Sequence, residues 1–209
     1  MDAETITQLF QIGIAFAAIL GGFVYGFKKL IELLKKKKNK KTEDKFTFVN
    51  MKVWQLINNL RDTVKASRIS LVQFHNGGKF VDGSSMRRMS ISHQSCDPKI
   101  PSTMQFRQDT LVSRFIEIIE MLQKNNPAIS TVCKMTESNT KKFYELHETL
   151  GISMLPLYCP NSFVAYGYIT IEWCDFKTLD SVDESKAQKE IESVRNQIAF
   201  LLSQAKEYR

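Results

Sequence analysis

The chain opens on an unbroken apolar run: from Thr5 to Phe27 no side chain carries a charge. A helix needs roughly 20 mostly apolar residues to cross a bilayer core, so residues 6–27 are expected to form a transmembrane helix, with Thr7, Gln8 and Gln11 as its polar members. Farther on, Phe46, Val49, Val53, Leu56 and Leu60 recur at helical spacing, and Trp54 and Ile57 widen the stripe. Residues 68–75 then read as a strand broken by Asn76-Gly77-Gly78. Met89, Ile91 and His93 alternate with Ser90, Ser92 and Gln94, which predicts a second strand.

Leu111, Phe115, Ile118, Ile119 and Leu122 predict a helix that stops at Asn125-Asn126-Pro127. A short strand at 129–133 and a helix at 136–150 follow, with Gly151 as the stop. Residues 152–159 and 163–173 form a hairpin around Pro160-Asn161. The last helix, 182–208, carries Ala187, Ile191, Val194, Ile198, Leu201 and Ala205 on one stripe. The expected fold is therefore α+β: an N-terminal transmembrane helix, then a largely antiparallel five-stranded sheet with helices to one side.

Charge sharpens the reading of the first segment. Residues 28–41 carry +7, the net charge of the whole chain. Lysines just past a span favour the cytoplasmic side. A cleaved leader would carry its basic residues before the apolar run, whereas Asp2 and Glu4 stand there. The expected organisation is a short outside N-terminus (1–5), a span (6–27), a polybasic linker (28–43) and a cytoplasmic domain (44–209), single-pass in the inner membrane.

Lys35, Lys36, Lys37, Lys38, Lys40 and Lys41 serve as a topology signal, and they also suit anionic lipid headgroups. The block lacks interleaved aromatics or arginines, which argues against nucleic acid. Within the span, Gly13, Ala17 and Gly21, and likewise Ala18, Gly22 and Gly26, lie four apart and form small-residue stripes that allow close helix association. The cysteines, Cys96, Cys133, Cys159 and Cys174, are widely spaced without a Cys-x-x-Cys pair, and their apolar neighbours place most of them inside.

The element order, together with Leu155-Pro156-Leu157 and the run from Tyr166-Gly167-Tyr168 to Glu172-Trp173, resembles the GAF domain family, with a GAF/PAS-like sheet. Phe74-His75-Asn76-Gly77-Gly78 resembles GAF-like membrane proteins of bacteria and phages. The resemblance implies either a small-molecule pocket beside the sheet or a module that dimerises through long terminal helices. The chain lacks an Asn-Lys-x-x-x-Phe-x-x-x-Asp-Glu cyclic-nucleotide signature and a cysteine in a bilin-attachment context, so neither cofactor is expected.

Candidate chemistry concentrates between residues 73 and 97. His75, Asn76, Gly77, Gly78, Ser92 and His93 combine titratable rings, an amide and flexible backbone, which suits ligand recognition. They equally suit a tight turn with a hydrogen-bonded core histidine. His93-x-x-Cys96, with His75 and Asp82 or Asp97, has ligand-like spacing, but a zinc site needs three converging ligands and none is expected. Cys96 with a histidine is the one candidate nucleophile pair. No catalytic assignment is made, and His147 is expected to face solvent.

The reading is a membrane-anchored, self-associating, non-enzymatic sensor or scaffold that takes a small ligand or a protein partner. The alternative is a phage-type oligomeric membrane protein, structural, holin-like or membrane-remodelling, whose soluble domain controls assembly.

Overall fold

A computed structural model of the chain describes residues 25, 28–32, 34, 35, 43–79, 85–158 and 164–206. The chain divides into two compact units, Met1–Thr47 and Phe48–Arg209. In the first, every described residue is helical. Among the described residues no helix is long and apolar enough to cross a membrane. The expected span, except Tyr25, lies outside the described residues, as do its small-residue stripes and Lys36, Lys37, Lys38, Lys40 and Lys41; Lys35 is helical and exposed.

In the second unit, helix α1 (residues 48–63) buries Val49, Val53, Ile57 and Leu60, as the periodicity predicts, but Trp54 is 55% exposed. At about 100° per residue, Trp54 falls outside the arc centred on Val53 and Ile57, so it turns away from the sheet. The strands are β1 (Arg68–Lys79), β2 (Ser85–Cys96), β3 (Thr110–Leu111), β4 (Ser130–Thr131), β5 (Gly151–Tyr158) and β6 (Ala165–Trp173). They form one six-stranded sheet in the order β3-β2-β1-β6-β5-β4, antiparallel throughout. The sixth strand arises because Leu111, expected within a helix, pairs with Arg88 instead, and Thr110 beside it pairs with Met89.

The helices α2 (Ile116–Lys124), α3 (Asn139–Leu146), α4 (Phe176–Asp180) and α5 (Glu184–Lys206) complete the unit. They cover both faces of the sheet, not one. Ile69, Leu71, Leu155, Leu157, Ile169 and Ile171 pack with α1 and α5. Val72, Met89, Ile91, Ile152, Met154 and Tyr168 pack with α2 and α3. Cover on two faces explains why β5 and most of β6 are buried residue after residue rather than alternately. Each fully buried aliphatic side chain in such a core contributes roughly 1.5–3 kcal/mol.

Local chemistry trims the expected elements. Ser138 caps α3 by accepting from the Lys141 N–H, which starts that helix later than expected, and Glu148, at φ 57°, follows its end. Of the expected strand 129–133 only Ser130–Thr131 pairs, and Val132–Lys134 tightens into a 3-10 turn. Asn76-Gly77-Gly78 does not break β1. The strand continues to Lys79 through a register shift, with Gly78 at φ 111°.

Candidate functional site

The six candidate ligand residues lie on the β1–β2 ribbon, and the ribbon disperses them. Among the described residues β1 pairs with β6 over residues 68–73, and beyond Gln73 it pairs with β2 alone. His75 and Asn76 are exposed there, and His75 Nε2 lies 2.9 Å from Ser90 Oγ. A Cβ at Gly77 would lie 2.4 Å from the Arg88 side chain, so this glycine seats that arginine.

Ser92 occupies a bulge. Leu71 pairs with His93 and Val72 with Ile91, leaving Ser92 unpaired, with its hydroxyl donating to Leu71 O at 3.2 Å. The bulge places His93 on the α1/α5 face, opposite Met89 and Ile91. His93 Nδ1 lies 3.1 Å from Ser92 Oγ, and burial lowers the pKa of its ring. His75 and His93 stand about 13 Å apart along the ladder, at roughly 3.3 Å per residue. They do not meet at one ligand.

The thiols fare similarly. Burial pushes the Cys96 and Cys174 thiols up, the reverse of what a nucleophile requires. Cys96 and Cys174 are half-buried and Cys133 is exposed, so burial of most cysteines does not hold among those described. Among the described residues no group of three or more His, Cys, Asp or Glu is placed to hold a metal ion.

Between the sheet and α2/α3 lies a different constellation, built on two buried arginines. Arg68, at the start of β1, is fully buried. Its Nε and Nη2 donate to Glu172 Oε2 at 3.1 and 2.6 Å, Nη1 to Pro101 O at 2.9 Å, and Nη2 also to Thr149 Oγ1 at 3.1 Å. Thr149 donates in turn to Glu172 Oε2 at 2.9 Å. Burial disfavours the guanidinium, but the adjacent Glu172 carboxylate more than offsets this and raises its pKa.

Arg107 is 2% exposed and sits at the end of a 3-10 turn, Met104–Arg107. That turn is tied to β2 by two glutamines. Gln94 bonds the Ser70, Ser102 and Thr103 hydroxyls and the Thr103 N–H, and Gln108 Nε2 donates to Ile91 O and Met104 O. Gln94 is consumed in this bracing.

Arg107 Nη1 donates to Tyr144 Oη at 2.9 Å. Its Cζ lies 4.2 Å from the Phe143 ring centroid, 5.1 Å from Tyr144 and 5.3 Å from Phe115. Its Nε and Nη2 are buried and have no hydrogen-bond partner among the described residues. Burial pushes the Tyr144 and Tyr168 phenols up, so both are neutral near pH 7. His147 is not simply solvent-facing: its ring meets Phe143 edge-on (centroids 4.5 Å apart) and Phe106 at a tilt (5.1 Å), and burial, then Arg68, lower its pKa.

Sequence reasoning passed over Arg107, Tyr144, Arg68 and Glu172. The one available signal was a carboxylate inside Ile169-Thr170-Ile171-Glu172-Trp173, a strand otherwise suited to complete burial. A separate open groove of about 660 Å³ runs along α2 and β4, lined by Glu117, Glu120, Met121, Lys124, Lys134 and Met135, among others.

No protein-family model matches the sequence, and no curated protein matches it significantly. Solved structures do match its fold. A far-red cyanobacteriochrome photoreceptor is 13% identical with a TM-score of 0.58, covering 82% of this chain and 98% of that one. The phycocyanobilin-bound GAF domain of a cyanobacterial phytochrome is 13% identical with a TM-score of 0.54, covering 80% and 94%. The GAF domain/HD domain protein of Geobacter sulfurreducens is 13% identical with a TM-score of 0.53, covering 76% and 92%. The fold is thus GAF-like, with a six-stranded antiparallel sheet.

Proposed function

We propose that the chain is a membrane-anchored, self-associating GAF-fold module, non-enzymatic, that acts as a sensor or scaffold for a small ligand or protein partner. In this reading residues 6–27 span the inner membrane, the lysine block faces anionic headgroups, and the domain lies in the cytoplasm. Ligand binding draws support from the fold, since one neighbour is a phycocyanobilin-bound GAF domain. Bilin itself is not proposed.

The observation that carries the reading is the outer surface of the two long helices. Phe48, Met51 and Trp54 are each more than half exposed and share an arc of about 120° on α1, on the side away from the sheet. Phe200 on α5 is 58% exposed, and Phe48, Leu56 and Leu201 line a groove between the two helices. An apolar surface repeated on both terminal helices suits packing against a second copy.

Photocrosslinking of the full chain in membranes tests this. A photoreactive residue at position 51 or 200 is expected to give a dimer-sized product, and one at Lys99 is not. No product from either helix would remove the self-association.

A further inference from the structure

The α2/α3 side of the core holds more hydrogen-bond donors than it can use. The buried charged residues among those described are Arg68, Arg107 and Glu172, two cations against one anion. Glu172 is committed to Arg68 and Thr149. Arg68 meets that carboxylate with its Nε/Nη2 edge. In Arg107 the same edge is buried and has no hydrogen-bond partner among the described residues.

The phenols nearby add to the excess. Tyr144 Oη accepts from Arg107, and among the described residues the Tyr168 hydroxyl finds only a thioether, Met89 Sδ at 3.3 Å. A buried guanidinium edge without a partner is costly, and the rings that cover it offset only part of that cost. Two parallel N–H groups in a fixed fork match a planar carboxylate.

We propose that the Nε/Nη2 edge of Arg107, walled by Phe115, Phe143 and Tyr144, is a receptor for a small organic monocarboxylate. One unpaired positive charge calls for one negative charge, and aromatic walls favour an apolar body behind the carboxylate. A chain of ring contacts, Phe106–His147–Phe143, leads from an exposed ring to the one lying on the guanidinium. The inference rests on the reading of this domain as a ligand-taking module and assigns that ligand a chemical class.

The test uses the full chain in detergent with sodium benzoate, its neutral counterpart benzamide, and inorganic phosphate. Benzoate is expected to raise Tm saturably while benzamide and phosphate do not. Arg107→Met is expected to abolish the response, and Tyr144→Phe to weaken benzoate binding about tenfold. If Arg107→Met does not fold, nitrogen-15 labelling of arginine in the wild-type chain decides: benzoate must shift one buried Nε–H resonance.

The proposal is overturned by no response to benzoate, by an equal response to benzamide, by a response to phosphate alone, by persistence in folded Arg107→Met, or by unmoved Nε–H resonances. A chain that cross-links through position 51 yet ignores benzoate loses this inference and keeps the self-association.

Discussion

Glu172 is fully engaged: one of its carboxylate oxygens takes two bonds from Arg68 and one from Thr149. Removing one member of a buried pair leaves the other charged and unpaired, at a cost of about 3–5 kcal/mol. Glu172→Gln is expected to destabilise the domain by that order in denaturant melts, with Arg68→Met/Glu172→Leu costing less than Glu172→Gln alone. The histidines add a pH dependence. His93 and His147 both have lowered pKa values in the folded domain, so the unfolded chain binds protons more readily. Stability is therefore fully present above the unfolded imidazole value, about 6.5, and falls as pH drops below it. Thermal melts from pH 7.5 to 5 should show this loss, and His147→Gln with His93→Gln should reduce it. None of the buried charges was legible as a site, because a lone arginine becomes informative only beside a partner such as Tyr144, which lies 37 residues away.

The strands and helices follow their sequence patterns where burial is simple. Residues 68–75 and the β5–β6 hairpin were legible because β-branched and aromatic residues fill strands covered on both faces. The outward turn of Trp54 was not, since an apolar residue one step off the stripe reads as core until its angle is known. The Ser92 bulge was equally hidden, because an extra residue leaves no mark in an alternation of serines and apolar residues. Glycines separate two kinds of constraint. A Cβ at Gly167 would meet the Val72 carbonyl oxygen at 2.3 Å, where backbone cannot yield without parting β1 from β6. At Gly77 the obstacle is the Arg88 side chain, which can swing aside. Gly167→Ala is expected to lower stability by more than about 2 kcal/mol, and Gly77→Ala by less than about 1, in the same denaturant melts.

For the whole molecule, the sequence and the fold contribute different parts. The charge of residues 28–41 equals that of the entire chain, so the basic character belongs to the segment after the apolar run and not to the domain. The domain brings a GAF-like sheet covered on both faces, with exposed apolar residues along its two long helices. The account joins these as an anchored, self-associating module. Native mass spectrometry of the full chain released from lipid nanodiscs tests that union most directly. The account predicts a dimer or larger multiple of the 24.1 kDa chain, and a loss of mass order when Met51→Glu and Phe200→Glu are combined. A wild-type chain that leaves the bilayer only as a monomer would contradict it.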